Sequence, residues 1–297
     1  KPIVWTFHDS NAFTGGCHVR YNCEHYQHEC GNCPVLKNSH PTDWSHQIWQ
    51  AKQKAYASLP LHIIAPSHWM ANSIKKSKLF GSYKADVIPN TLDTHLFKPT
   101  AKTEARKVLG LDPDTFILMS GFMPSRKDLH KGASYLIEAI ELFIAQQTIK
   151  PERIELLVFG NRTTDEIPLL PIQTTYLGVL SDDALLALHY SAADVFVAPS
   201  LEDNLPNTVM ESLSCGTPVV AFKTGGIPDM VTHQHNGYLA TYQSAHSLAE
   251  GINWVYEHPE RQIVNQHARQ TVLNYFSEAA IADQHIALYQ ALIDNHV

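Results

Sequence analysis

No apolar run in the sequence approaches the roughly 20 residues that a bilayer-spanning helix needs, so no membrane-crossing helix is read in these 297 residues. Basic residues are also in short supply. Lys and Arg number 22 against 29 Asp and Glu, for a net charge of −7 with no basic run. That balance argues against nucleic acid as a partner and against simple electrostatic attachment to an anionic membrane, although local basic pockets are compatible with it. Internal repeats and low-complexity tracts are absent, so solenoid and disordered classes fall away. The start, KPIVWTFHD, has neither an initiator Met nor the layout of a signal peptide. It reads as a buried strand emptying into a polar loop, and the expectation is that an upstream part of the first domain is missing.

What is present has the composition of an ordinary globule, and 297 residues exceed the usual size of a single core, so two domains are expected. Short apolar runs at Leu61–Ala65, Phe116–Ser120, Ile154–Gly160, Thr175–Gly178, Asp194–Pro199 and Pro218–Phe222 read as buried strands. Helical periodicity falls between and around them, at Ser45–Leu59, Thr103–Leu109 and Asn207–Ser214. After a tight turn at His235-Asn-Gly237, three further helices are expected at Ser244–Glu257, Pro259–Asn274 and Ser277–Ile293. Strand and helix alternating in this way predict an α/β chain with a doubly wound parallel sheet. The proline-punctuated stretch from Val87 to Pro99 reads as the linker, with Asn90 and Asp93 fixing its turn. The domains are therefore placed at 1–95 and 96–280, with a final helix over 281–297.

The most informative stretch runs from Ser200 to Val231, SLEDNLPNTVMESLSCGTPVVAFKTGGIPDMV. The strand before it ends in Pro199, which cannot easily continue a ladder, and a loop carrying Asp203 must follow. The helix then begins beyond Pro206 and stops at Gly216, which supplies a left-handed C-terminus. Strand, helix and strand on short links make a right-handed crossover, whose loops at the carboxyl ends of the strands form a ligand crevice. Asn207, Thr208 and Glu211 share one helical face, and the first N–H groups of that helix make an anion site. A carboxylate beside a phosphate-binding helix start suits a ribose next to a diphosphate. Earlier in the chain a glycine turn at Gly121 is followed by Arg126, Lys127 and Lys131 before an apolar helix. Cations so placed would lie over a diphosphate.

Asp203-x7-Glu211, followed by Ser-Cys-Gly-Thr-Pro-Val-Val and Thr-Gly-Gly-Ile-Pro-Asp, resembles the acidic signature of the retaining family 4 glycosyltransferases. The resemblance implies a GT-B fold, with two Rossmann-like domains facing across a cleft, the N-terminal one incomplete here and the last helix crossing back to it. It implies a metal-independent hexosyltransferase moving a sugar from a nucleoside diphosphate donor to a glycan or lipid-linked glycan acceptor. No Asp-x-Asp pair is read as holding a divalent ion. By the same resemblance His8 orients the reacting face, Asp203 binds sugar hydroxyls, and Asn204, Leu205 and Pro206 line the donor sugar. Glu211 then holds the ribose while Arg126 and Lys131 neutralise the leaving diphosphate. The family carries Glu where Asp203 stands, and Glu202 beside it leaves open which carboxylate meets the sugar. A cytoplasmic location, with the inner membrane face as one option, follows from the family.

Cysteine is scarce, at five residues, but Cys17, Cys23, Cys30 and Cys33 fall close together. The Cys30-Gly-Asn-Cys33 spacing suits a structural zinc site, with His18, His25 or His28 as substitute ligands. Two disulfides or four free thiols are the alternatives. A similar insertion occurs in a subset of family members that build bacterial surface polysaccharides. Two other functions compete with transfer, a nucleotide-sugar-binding module without catalysis and a GT-B sugar-nucleotide epimerase.

Overall fold

The computed structural model describes residues 2–121, 132–146, 150–160 and 170–294. They form two compact units. The first comprises Lys1–Asn90, Glu202–Leu205 and Ile281–Val297, and the second Thr91–Leu201 and Pro206–Ala280.

In the first unit, strands β1 (Ile3–Thr6), β2 (Leu61–Ala65) and β3 (Ala85–Val87) form a parallel sheet in the order β1-β2-β3. Helices α1 (Trp44–Tyr56) and α2 (His68–Lys76) accompany them. Polar caps set both starts. The Asp43 carboxylate accepts from the backbone N–H groups of Ser45 and His46, so α1 begins at Trp44. Ser67 Oγ accepts from the Met70 N–H and opens α2. Successive residues of β2 face opposite ways, and both faces are covered. Ile63 joins an aromatic core with Phe7, Phe13, Trp49 and Phe80, in which Phe7 meets Phe80 edge-on at 5.0 Å between ring centres. Ile64 packs with Ile88 and Ile281 in a separate small cluster.

The second unit carries strands β4 (Phe116–Gly121), β5 (Ile154–Phe159), β6 (Gln173–Gly178), β7 (Val195–Ala198), β8 (Val219–Phe222) and β9 (Gly237–Ala240). They pair in parallel in the order β6-β5-β4-β7-β8-β9. The chain winds outward one way from β4 and the other way from β7, so the order reverses between these two strands. In an open α/β sheet the carboxyl ends at such a reversal form the ligand crevice. Helices α3 (Lys102–Leu109), α4 (Ala133–Gln146), α5 (Asp183–Ala192), α6 (Asn207–Ser214), α7 (Ala245–Glu257) and α8 (Arg261–Tyr275) surround the sheet, while α9 (Glu278–Asp294) belongs from Ile281 onward to the first unit. Residues 219–222 of β8 are wholly buried, as a central parallel strand should be. The sequence reading missed β9, because its four residues follow a turn and adjoin helical periodicity. Pairing with β8, Val219 opposite Gly237, is what makes it a strand.

A buried ion cluster ties the helical layer to this sheet. Arg106, on α3, donates to Asp194 at 2.7 Å and to the carbonyls of Ala192, Pro113 and Thr115. Asp194 also accepts from the Ile117 N–H at 2.8 Å and from Lys102 at 2.6 Å. Since every formal charge in the cluster is paired or hydrogen-bonded, it can remain out of water. The amino ends of β4 and β7 are thereby locked together.

Candidate functional site

Gly121, Ala198 and the loop that follows β7 stand at the carboxyl ends of the two strands where the order reverses. Close backbone approach shapes this region. A Cβ on Gly121 would lie 2.4 Å from the Phe159 ring, and one on Gly132 would lie 2.0 Å from the Pro199 carbonyl oxygen. Gly132 also has φ of +65°, a conformation that side-chain-bearing residues adopt at a cost. The loop is further held by the Thr224 hydroxyl, which donates to the Leu201 carbonyl at 3.0 Å. Thr224 belongs to the Thr-Gly-Gly turn quoted from the sequence, but its tether to the loop is visible only in three dimensions.

Helix α6 begins at Asn207 with Pro206 as its N-cap, and no side chain caps it. Among the described residues its first N–H groups have no side-chain acceptor, the arrangement that favours an anion. Glu211, one turn along, accepts a hydrogen bond from the Tyr190 hydroxyl at 3.0 Å. Burial raises the Glu211 carboxyl to about 7, against the lowering effect of the Tyr190 hydrogen bond and with a further rise from Asp183. Tyr190 is fully buried and its phenol is pushed well above the ordinary range, first by burial and then by the Glu211 charge. Burial likewise pushes the nearby Cys215 thiol up to about 12. That thiol is a packed group with no reactive character at neutral pH.

The remaining sequence-predicted residues divide into two groups. In the first unit, Asn204 is pinned by its side chain: Nδ2 donates to the His8 carbonyl at 2.9 Å, and Oδ1 accepts from Ser67 Oγ at 2.7 Å. His8 itself is exposed just beyond β1, while Leu205 is buried. Asp203 is half-buried, and Glu202, at 8% exposure, accepts from the Arg20 N–H at 2.9 Å. Sequence reasoning gave Arg20 no part here, because nothing in its neighbourhood signals a contact so distant along the chain. Arg126, Lys127 and Lys131 lie outside the described residues. The single Asp-x-Asp spelling in the chain, Asp112-Pro-Asp114, sits in the turn into β4, at the end of the strand opposite Gly121. There Asp112 accepts from the Asp114 N–H at 2.8 Å, so this pair shapes a turn.

The four clustered cysteines are free thiols, with Cys30 and Cys33 buried. They are near enough for charge on one to oppose charge on another, and this adds to burial in raising Cys17 and Cys30 to about 11. The Cys30 sulfur accepts from the Gly15 N–H at 3.1 Å. Among the described residues, no group of three or more His, Cys, Asp or Glu side chains is arranged to hold a metal ion. The donor chemistry of four neighbouring thiols suits zinc. No helix among the described residues is long and apolar enough to cross a membrane.

Comparison with known proteins places these features in a wider setting. Residues 115–258 match the family described as "Glycosyl transferases group 1". The D-inositol 3-phosphate glycosyltransferase of Segniliparus rotundus is 31% identical over 220 residues, covering 71% of this chain and 47% of that protein. WcaC of Escherichia coli, whose name assigns it to colanic acid biosynthesis, is 25% identical over 232 residues, covering 74% of this chain and 51% of its own length. The chain thus spans about half the length of the curated relatives it matches. Among solved structures, the HepE protein of Anabaena in complex with UDP superposes with a TM-score of 0.71 at 20% identity, covering 98% of this chain and 72% of that one. Residues 115–258 are thus similar in sequence to the group 1 glycosyl transferases, and the chain has the GT-B fold.

Proposed function

We propose that the chain belongs to a retaining, metal-independent glycosyltransferase that moves a sugar from a nucleoside diphosphate donor to an acceptor hydroxyl in polysaccharide assembly. The observation that carries this reading is the uncapped start of α6, with Glu211 one turn along, at the reversal point of the six-stranded sheet. Such a site offers N–H groups to a diphosphate and a carboxylate to a ribose. Support for the donor class comes from HepE, which is solved with UDP and with UDP-glucose. Support for the polysaccharide setting comes from the name of the WcaC relative.

In this mechanism Glu211 accepts from the ribose hydroxyls, and Asp203 accepts from hydroxyls of the transferred sugar. The N–H groups at the start of α6, with Arg126 and Lys131, stabilise the negative charge that develops on the departing diphosphate. His8 orients the reacting face. The acceptor oxygen attacks the face from which the diphosphate leaves, and its proton passes to the leaving phosphate. The acceptor is a glycan or a lipid-linked glycan, met at the cytoplasmic face of the membrane. Cys17, Cys23, Cys30 and Cys33 are proposed to draw together around one structural zinc ion, a reading supported by the mutual proximity of the four thiols and the short Cys30–Cys33 spacing.

A thermal-shift panel of UDP, GDP, ADP and their sugars tests the donor assignment, because a ligand bound only by the folded state raises its melting temperature. One nucleotide series should stabilise the chain, and no response to any of them would overturn the assignment. Product analysis with an acceptor then separates transfer from epimerisation, which would return an isomerised nucleotide sugar. Elemental analysis of the purified chain should find one zinc per molecule, and its absence would remove zinc from the account.

A further inference from the structure

Asp203 lies between two residues that are each fixed by the first unit. On its carboxyl side, Asn204 is held by Ser67 Oγ and the His8 carbonyl. On its amino side, the buried Glu202 carboxylate takes the Arg20 N–H at 2.9 Å. Arg20 comes from the cysteine-rich segment, midway between Cys17 and Cys23, and its own side chain is anchored at several points. Nε donates to Ser10 Oγ and Nη2 to Ser73 Oγ, both at 2.9 Å. The guanidinium lies over Tyr26 at 4.5 Å, Trp69 at 4.8 Å and Phe13 at 5.6 Å from the ring centres. An Arg held by both its fork and its face leaves its main chain little freedom, so its N–H is presented at a defined place.

We propose that Arg20 and Glu202 form a positioning pair through which the cysteine-rich segment sets the orientation of the Asp203 carboxylate. This rests on the reading of Asp203 as a sugar-binding group. Glu202 is committed to the Arg20 N–H, a charge-assisted bond that is strong and directional. Packing alone would be served as well by an apolar side chain at position 202. A buried carboxylate is costly unless it is hydrogen-bonded, and here one of its donors comes from a segment 182 positions away in sequence. The sugar-binding acid therefore has one flanking residue fixed by strand β1 and α2 and the other by the insertion, and the insertion acts as a buttress for the loop.

The test compares Glu202→Ala, Glu202→Gln and Arg20→Lys with the unaltered chain, using UDP-glucose and UDP as probes, or the sugar and nucleotide of whichever series the thermal-shift panel selects. Glu202→Ala is expected to lower kcat/KM for the sugar nucleotide by about 10- to 100-fold, the scale on which a small misplacement of a binding group is felt. Affinity for the bare nucleotide should remain unchanged. Glu202→Gln, which keeps an acceptor oxygen, should recover most of the loss. Arg20→Lys keeps the N–H and the charge but loses the fork and the stacking face, so it should move in the same direction by less. If Glu202→Ala does not fold, Arg20→Lys alone carries the comparison. Unchanged kcat/KM in the variants overturns the positioning role and leaves the proposed function standing. A parallel fall in nucleotide affinity also overturns it, since that would mark a general structural effect. An unaltered chain that neither turns over the sugar nucleotide nor distinguishes it from the bare nucleotide overturns the positioning role and the proposed function together.

Discussion

Glu211 combines two demands that pull in opposite directions. To hold a ribose it must be charged, yet burial raises its carboxyl to about 7, so near neutrality it is only partly ionised. Donor affinity is therefore expected to strengthen between about pH 6 and pH 8 as the carboxylate forms, and Glu211→Gln should bind weakly with no such dependence. Titration calorimetry at the two pH values measures this directly. Stability moves the other way. A carboxyl whose folded value lies above its unfolded one supports the fold below the unfolded value of 4.5, and this support is lost as pH rises through about 7. Relative to the unaltered chain, Glu211→Gln should gain in melting temperature from acid to alkaline pH, as calorimetric scans at about pH 5 and pH 8 would register. At this scale the sequence placed Glu211 one turn into the helix that begins at Asn207. It was silent on Tyr190, whose hydroxyl reaches Glu211 from another helix.

Elements hold the site through contacts at their ends. The Arg106–Asp194 pair fixes α3 to the amino ends of β4 and β7, with Arg106 at 4% exposure and Asp194 at 8%. Breaking such a pair leaves an uncompensated charge in the interior, so Arg106→Ala is expected to cost about 3–5 kcal/mol in urea unfolding. Nucleotide affinity per folded molecule should be retained, because the cluster lies at the far end of the strands from Gly121. Gly132 works at the other end. Gly132→Ala would place a Cβ against the Pro199 carbonyl oxygen at a left-handed backbone position. A loss of stability of about 1–3 kcal/mol is expected, with weakened nucleotide binding as the loop after β7 is displaced. Isothermal titration with UDP on the folded fraction of each variant distinguishes the two ends.

At the scale of the whole molecule, each unit has its own core, one aromatic around Phe7 and Phe80 and the other aliphatic around the six-stranded sheet. A unit with its own core can fold by itself. A chain of residues 91–280 is accordingly expected to unfold cooperatively and to keep bare nucleotide binding, since the start of α6 and Glu211 lie within it. Transfer should be lost, because His8, Arg20 and the partners of Asn204 are removed. Circular dichroism with nucleotide titration checks the first expectation, and a transfer assay checks the second.

Strand and helix positions from Leu61 to Ser214 were largely legible in the sequence, because buried parallel strands are short apolar runs and helices repeat at their own period. The acidic loop and helix start after β7 were legible for a local reason, namely that Pro199, Pro206 and Gly216 punctuate the backbone within a few residues of one another. Strands β3 and β9 were not, because strands of three and four residues are defined by their neighbours in the sheet and not by their own pattern. The contact between Glu202 and the Arg20 N–H was equally out of reach of sequence. Nothing local in the sequence links position 20 to position 202, and only the fold brings them together. Local composition and periodicity determined which elements form and where a ligand crevice should open. Only tertiary structure decided which side chains hold the loop in place, since those contacts join residues that are close in space and distant along the chain.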